Sequence, residues 1–301
     1  MIHEYALDPD VLLAWAANDR DYAEFLREYG LGTPRIFSSF PAGKAAKLRS
    51  YFLRRGPAAV DTLLGRRYLE MVNKVAEVIV LRNAPEIQGD NWGALAEGEH
   101  KRLPFDVILS AETINSERNI TPANMYADGS IWNHPDQLNI QRTNEGFCTA
   151  IASLLRLATQ RVVVIDAYGW TTKAIIQMQY LIQYTLQNHI DRQIPPFTLF
   201  FKKSDSSPSA TYVKSCIFQN AGFDVANIEL NVFELEDVQG HDVFHNRCIL
   251  TEHGAVKTGH GIGVSGDQAH TDEAFLVNRI LYEKECNQFI DDSCFKIVSQ
   301  A

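Results

Sequence analysis

From about residue 140, runs of β-branched and aromatic residues alternate with segments of helical periodicity. The strand candidates are RVVVIDAYG (161–169), PFTLFFKKSD (196–205) and NIELNVFEL (227–235), and the helix candidates are 143–160, 171–190 and 210–222. Strands that alternate with helices of this length predict right-handed βαβ crossovers and a mostly parallel sheet. Two further β-like runs, FHNRCILT and AVKTGHGIGV, join at residues 252–254. They predict a hairpin that closes this α/β region.

The first hundred residues follow a helical pattern instead. Asp8-Pro9-Asp10 is typical of a helix start, and Gly30 is typical of a helix end. Two more helices are expected at 44–53 and 58–81, separated by Gly56-Pro57. Residues 83–104 are rich in glycine, proline and polar residues, which predicts a loop between two structural units. We therefore expect a mainly helical N-terminal region at 1–104 and an α/β domain at 105–301.

Composition places the chain among ordinary globular proteins, with 46% hydrophobic and 22% charged residues in 301. Apolar runs such as VVVI are far shorter than the ~18 residues that span a bilayer. The start, MIHEYALDPD, lacks the basic and apolar regions of a secretory signal. The five cysteines include no CxxC pair, as expected for free thiols rather than a thiolate zinc site. These features predict a cytoplasmic protein without a membrane span.

Charge is distributed unevenly along the chain. The formal net charge is −9, so the molecule as a whole does not attract nucleic acid. The segment 35–82, in contrast, holds ten lysines and arginines and only three acidic residues. A basic run of this kind is either a solvated helix face or a phosphate-binding surface, and the sequence leaves both interpretations open.

Five of the nine histidines fall within thirty residues near the C-terminus: 241, 245, 253, 260 and 270. They could form a metal cluster or a catalytic phosphate site, or they could be polar side chains on an ordinary hairpin. A metal site needs converging ligands, but His241 and His245 would lie ~13 Å apart on an extended strand. His253 and His260 belong to opposite arms of the predicted hairpin. The metal interpretation is therefore the weaker one.

A phosphate site agrees better with the residue types. His245 and Arg247 are two positions apart, so on a strand both project to one face. An imidazole is a candidate nucleophile or acid–base group, and a guanidinium has the fork that phosphate oxygens prefer. Glu252 at the turn could fix the tautomer of a histidine, and Lys257 could help to hold the phosphate. Gly259 would let the backbone approach a ligand closely.

Three more residues end the preceding strands. Asp166 closes VVVID, and Lys202 and Lys203 close PFTLFFKK. Because the carboxyl ends of parallel strands meet at one edge of a sheet, we expect these side chains near the same ligand. Helix capping for Asp166 and solvation for the two lysines are the structural alternatives. Tyr168 and Trp170 follow Asp166 and could stack on a base, or simply pack at the rim.

At this point the chain resembles a known family. The phospholipase D superfamily carries H-x-K-x4-D-x6-G-S-x-N, and this sequence has His245-x-Arg247-x4-Glu252-x6-Gly259-His260-x-Ile262. Every spacing matches, over a region of roughly 140–275, while four of the six motif residues differ. The resemblance implies a phospholipase D-like α/β sheet sandwich lobe and a metal-independent phosphodiesterase that needs no cofactor. It makes His245 the nucleophile or general acid, with Arg247, Glu252 and His260 in the catalytic set.

The chain contains one such motif, because no second histidine is followed by the family's acid and glycine at family spacing. Single-motif members of the family pair two histidines across a homodimer, so the resemblance implies a symmetric dimer. Nucleic acid is the expected substrate, and a stand-alone nuclease would suit antiviral defence in a bacterium. The alternative is a catalytically degenerate phosphate-recognition module that binds nucleic acid, a lipid head group or a partner protein.

Overall fold

The computed structural model describes residues 1–82, 91–190, 193–219, 221–265, 267, 269–291 and 293–301. The chain separates into two compact units, an N-terminal unit of Ile2–Pro135 and a C-terminal unit of Asp136–Ala301. The boundary differs from the predicted division after residue 104. The strand Val107–Leu109, which follows that division, pairs in parallel with the first strand of the chain, through Tyr5–Val107 to Leu7–Leu109. It therefore belongs to the N-terminal unit.

The N-terminal unit is an α/β structure rather than a mainly helical one. Its described strands are β1 (His3–Leu7), β2 (Arg35–Ser38), β3 (Ile79–Val80), β4 (Val107–Leu109) and β5 (Asn119–Ile120). Its described helices are α1 (Pro9–Ala16), α2 (Asp19–Glu28), α3 (Ala45–Arg55), α4 (Leu63–Glu77) and α5 (Trp92–Arg102). The strands form a parallel sheet in the order β3-β2-β1-β4-β5.

Local chemistry accounts for the helices of this unit. The Asp8 carboxylate accepts a hydrogen bond from the Asp10 N–H, and Pro9 occupies the first turn, as the sequence predicted for α1. The segment 83–104, predicted as a loop, contains α5 from Trp92 onward, capped by the Asn91 side chain. The remainder of that prediction, residues 83–90, lies outside the described residues.

The C-terminal unit holds eight described strands: β6 (Gln137–Gln141), β7 (Val162–Asp166), β8 (Phe197–Lys202), β9 (Leu230–Glu236), β10 (Arg247–Thr251), β11 (Gly254–Thr258), β12 (Thr271–Leu276) and β13 (Lys296–Gln300). The helices are α6 (Asn144–Ala150), α7 (Ala152–Leu157), α8 (Thr172–Asn188), α9 (Ala210–Phe218) and α10 (Arg279–Cys286). A 3₁₀ turn at Val225–Asn227 and a π-helical turn at Asn287–Asp291 complete it. The strands make one sheet in the order β13-β9-β8-β7-β10-β11-β12-β6.

The centre of this sheet brings two strand directions together. β7, β8 and β9 are parallel, whereas β10 runs antiparallel to β7 and forms a hairpin with β11. All five residues of β7 are buried, as expected for a β-branched run covered on both faces. Consequently the carboxyl ends of β7 and β8 and the amino end of β10 meet at one edge. None of the described helices is both long and apolar enough to cross a bilayer.

Candidate functional site

A cavity of about 250 Å³ opens at this edge of the C-terminal sheet. The turn after β7, the end of β8 and the start of β10 supply its walls. Its lining residues are Ala167, Tyr168, Trp170, Lys202, Lys203, Ser204, Phe244, His245 and Arg247. Four of the nine residues predicted for the site from the sequence, His245, Arg247, Lys202 and Lys203, therefore share one cavity.

His245 owes its position to the residue before it. Phe244 is fully buried, packs against the rings of Phe289 and Phe295, and donates its backbone N–H to the Asp237 carboxylate at 2.9 Å. The following residue, His245, is exposed. It precedes β10, which begins at Arg247, so the ring is not on the strand that the sequence predicted. An anchored phenylalanine thus presents an accessible imidazole to the cavity.

Arg247 faces the same cavity from the first position of β10. Its guanidinium donates to the Gly259 carbonyl at 2.5 Å and lies 5.5 Å from the centre of the Tyr168 ring. In the β7–β10 ladder Arg247 is the partner of Asp166. The guanidinium is therefore held by a carbonyl while it keeps further N–H donors for a ligand.

The two lysines at the end of β8 each have an acidic partner. The Nζ of Lys202 lies 2.6 Å from the Asp237 carboxylate, and the Nζ of Lys203 lies 3.2 Å from the Glu234 carboxylate. Burial alone would raise the pKa of Asp237, but the hydrogen bond from Lys202, the Phe244 N–H and the nearby His245 lower it below its ordinary value. The lysines are positioned by these pairs, and part of their charge is offset.

Asp166 does not line the cavity, although the sequence placed it at the ligand. The side chain is 2% exposed and accepts hydrogen bonds from the backbone N–H groups of Tyr168 at 2.9 Å and Ile262 at 2.8 Å. Burial raises its pKa, and the two hydrogen bonds and the charge of Arg247 offset only part of this effect. Its carboxylate joins the turn after β7 to the segment that follows β11.

Glu252 lies too far from the cavity to orient His245. It sits in the β10–β11 turn, five residues beyond Arg247, which corresponds to roughly 16 Å along a strand. Its carboxylate accepts from the backbone N–H of Thr159 at 2.5 Å and lies 3.3 Å from the ring of the adjacent His253. Glu252 therefore fixes the turn, and the histidine ring that it contacts is that of His253 rather than that of His245.

Lys257 projects from the opposite face of the sheet. In the hairpin register Lys257 pairs with Cys248, so side-chain alternation separates it from Arg247. Its Nζ makes a 2.6 Å ion pair with the buried carboxylate of Glu285, which also accepts a hydrogen bond from Asn246. Lys257 thus compensates a buried acid and does not reach the cavity.

His260 and Gly259 also differ from their predicted roles. The His260 ring is exposed and lies 3.1 Å from the Asp272 carboxylate, which also accepts the His260 N–H at 2.9 Å. His260 is not among the residues that line the cavity. A Cβ on Gly259 would stand 2.8 Å from Asp272 Oδ1, so the glycine permits close approach to a carboxylate rather than to a ligand.

The N-terminal unit has a larger cavity that the sequence did not reveal. It measures about 700 Å³ and opens beyond the carboxyl ends of β1 and β4, where the strand order reverses. Among the described residues, its charged lining consists of Asp8, Asp10, Glu97 and Glu112, with Arg55 as the single cation. Four carboxylates disfavour a phosphate group, so the cavity beside His245 is the better anion site of the two. Asp8 directly follows β1, but the sequence pattern did not reveal that strand and so gave no signal for this cavity.

The basic segment 35–82 is in part structural. Arg82 is buried between the carboxylates of Glu4 at 2.6 Å and Glu99 at 2.9 Å, and Arg35 donates to the Trp132 carbonyl at 2.6 Å. These two cations stabilise the N-terminal unit and are not available to a nucleic acid. Across the described part of the chain, no group of three or more histidine, cysteine or acidic side chains is arranged to hold a metal ion.

Comparisons with known proteins give structural neighbours only. No family model and no curated protein matches the chain. A phospholipase D family member, Nuc from Salmonella typhimurium, superposes with a TM-score of 0.33 and 7% identity over 55% of this chain and 99% of that one. Polyphosphate kinase from Porphyromonas gingivalis superposes with a TM-score of 0.33 and 9% identity, over 62% of this chain and 31% of that one. TrmBL2, an archaeal chromatin protein, superposes with a TM-score of 0.28 and 10% identity, over 57% of each chain. Similarity at this level assigns no family to the chain.

Proposed function

We propose that the C-terminal unit binds a phosphodiester in the cavity beside His245 and hydrolyses it, with nucleic acid as the substrate. The observation that carries this proposal is the grouping of one exposed imidazole with Arg247, Lys202 and Lys203 around a single cavity. The motif resemblance to the phospholipase D superfamily supports the same chemistry. The resemblance alone could not have established that these four side chains come together.

The reaction we propose has two displacements at phosphorus. The neutral His245 ring attacks phosphorus, a P–N bond forms, and the P–O bond to the leaving group breaks as that oxygen takes a proton. Water then attacks the phosphohistidine, gives its proton to the group that protonated the leaving oxygen, and the P–N bond breaks to release the phosphomonoester and the neutral ring. Arg247 stabilises the negative charge on the equatorial oxygens through its fork of donors, and the two lysines add point charges. An imidazole nucleophile does this without needing a metal-activated water.

The leaving oxygen needs a general acid. Among the described residues that line the cavity, His245 is the single histidine. We therefore propose that a second copy of the chain supplies its own His245, which gives a symmetric homodimer with the two rings facing one another. Light scattering would then report twice the 33.9 kDa mass of one chain, and a monomer at assay concentration would contradict this part of the proposal.

One observation favours a second function, phosphate recognition without turnover. Lys202 and Lys203 each have a carboxylate partner that offsets part of their charge, and the Gly259 carbonyl occupies one donor of Arg247, so less is left to stabilise a transition state. Such a module would recognise a phosphate on nucleic acid, a lipid head group or a partner protein. It would bind phosphate through the same residues that the hydrolytic proposal uses.

A cleavage assay separates these functions. Wild type, His245→Ala and His241→Ala are compared on labelled oligonucleotides with and without EDTA. His241 is an exposed histidine four residues upstream that does not line the cavity, so it is the matched control. We expect EDTA-resistant cleavage that falls by roughly a thousandfold or more in His245→Ala and is retained in His241→Ala.

Alkaline quenching during turnover, which preserves the acid-labile P–N bond, should trap a phosphohistidine on wild type and on His241→Ala but not on His245→Ala. Phosphate-dependent binding with no cleavage by any of the three proteins would instead support the recognition module. Cleavage that EDTA abolishes would contradict the metal-independent mechanism.

A further inference from the structure

The turn that follows β7 holds an aromatic ring out toward solvent. The Tyr168 N–H donates to the Asp166 carboxylate at 2.9 Å, the Gly169 N–H to the Asp166 carbonyl at 2.8 Å, and the Thr171 N–H to the Tyr168 carbonyl at 3.0 Å. A Cβ on Gly169 would stand 2.9 Å from the Leu199 side chain, so the turn packs closely on β8. The backbone of Tyr168 is therefore fixed on both sides, while the residue remains 57% exposed.

The exposed ring lies at the rim of the cavity. Tyr168 lines the cavity together with Trp170, and the Arg247 guanidinium lies 5.5 Å from the centre of the Tyr168 ring. The Trp170 indole N–H, buried in the same lining, has no hydrogen-bond partner within the described residues. The rim thus combines a flat apolar face with a permanent cation.

These neighbours match the parts of one nucleotide. The phosphate is an anion that a guanidinium binds through paired N–H groups, and the base is a flat ring that stacks on tyrosine. In an unpaired strand the two lie next to one another along the backbone. In a duplex both faces of each base are already stacked, so a protein must extrude the base before an aromatic ring can reach it.

We propose that the cavity is specific for single-stranded nucleic acid, with Tyr168 as the platform for an unpaired base next to the phosphate held by Arg247. This inference rests on the proposed function, because it uses the same cavity as a phosphodiester site. Tyr168 is a substrate-binding residue in this scheme, and Asp166 is a positioning residue that holds the turn. Because Tyr168 is 57% exposed, a base stacked on its ring would lie at the rim of the cavity rather than inside it.

Fluorescence anisotropy with three ligands tests the inference: a short single-stranded oligonucleotide, the same oligomer with abasic sites, and its duplex. All measurements use the full chain carrying His245→Ala, so that no ligand is cleaved. We expect Tyr168→Ala to weaken binding of the single strand by about 5-fold to 150-fold, the range for loss of one stacked base, and to change abasic binding by less than about twofold. Tyr168→Phe keeps the ring and should bind as the parent does.

The chain supplies a matched control. Tyr212 on α9 is 58% exposed, almost as much as Tyr168, and does not line the cavity, so Tyr212→Ala should leave all three affinities unchanged. Equal affinity of the parent for the intact and abasic strands, or binding of the duplex as tight as the single strand, would overturn the inference even if a tyrosine variant did not fold.

The two proposals fail in different ways. If His245→Ala abolishes cleavage but Tyr168→Ala does not alter base-dependent binding, the hydrolytic function stands and the stacking role is rejected. If binding depends on Tyr168 and on the base while wild type cleaves no oligonucleotide, single-strand recognition is supported and hydrolysis is rejected.

Discussion

Replacing Gly261 with alanine is a direct test of the link between Asp166 and the β11 side of the site. Gly261 has φ +76°, and an ideal Cβ there would stand 2.2 Å from Asp166 Oδ2. The carboxylate cannot move away freely, because it accepts the backbone N–H groups of Tyr168 and Ile262. One methyl group therefore strains the backbone and also displaces a buried, hydrogen-bonded acid.

The two effects can be estimated separately. A residue with a Cβ in the left-handed region costs about 1–2 kcal/mol, and overpacking of a buried site costs about 1–3 kcal/mol. Gly261→Ala should therefore lower the free energy of unfolding of the C-terminal unit by about 2–5 kcal/mol. Gly240 offers the matched control, since it has φ +87° with no atom within 4 Å of its Cβ position. Gly240→Ala should therefore lower the free energy of unfolding only by the backbone strain, about 1–2 kcal/mol.

Hydrogen exchange followed by mass spectrometry on peptides from β7 and β10 measures the stability of this unit without interference from the N-terminal one. Equal destabilisation of the two alanine variants would show that the Asp166 carboxylate does not oppose the added methyl group. A double-mutant cycle adds a second check, because Asp166→Ala should lessen the effect of Gly261→Ala if the two side chains collide. Simple additivity in that cycle would show that the carboxylate contact contributes nothing.

Three further predictions concern charges away from the cavity. Lys257→Ala should lower the free energy of unfolding by about 1–3 kcal/mol, because it leaves the Glu285 carboxylate buried without its cation, yet oligonucleotide affinity should not change. Denaturant unfolding measures the change in stability, and fluorescence anisotropy on the same preparation measures the oligonucleotide affinity. Burial lowers the pKa of His134 to about 3 from its ordinary 6.5, so the unfolded chain binds the proton first. The N-terminal unit should lose stability as the pH falls below 6.5 toward 3, by up to about 1.4 kcal/mol per pH unit, and His134→Gln should flatten this acid unfolding curve. Arg82→Met should lower the free energy of unfolding by about 3–5 kcal/mol, because it removes the cation that pairs with two buried glutamates. An unchanged midpoint of thermal or denaturant unfolding would contradict that estimate.

The C-terminal unit was the more predictable part of the molecule. Strong local signals mark its strands: β7 is a β-branched run, β8 is aromatic, and helices of regular length separate them. The parallel arrangement then brings strand ends together, which is why Lys202 and Arg247 share a cavity although 45 residues separate them in the sequence. The spacing motif identified the segment that carries His245, but not the burial of Phe244 that presents it.

The N-terminal sheet could not be inferred from the sequence pattern. Its strands have two to five residues, and β2 and β4 are buried throughout, so neither shows the alternation that distinguishes a strand. The pairing of β1 with β4 joins residues about a hundred positions apart, which no local signal encodes. The position of Lys257 could have been derived from the turn. A two-residue turn at 252–253 pairs Lys257 with Cys248, which places its side chain on the face of the sheet opposite to that of Arg247.

The anchoring of Phe244 by Phe289 and Phe295 has a consequence for mutational scans of this protein. Both partners lie more than forty residues downstream of the imidazole, in the π-helical turn and the residues just after it. Truncation of either ring would loosen the packing that holds Phe244, and with it the position of His245. Under the proposed function, a survey that ranks positions by loss of turnover would rank these two phenylalanines alongside the cations of the cavity. Sequence distance from the motif would then be a poor guide to importance.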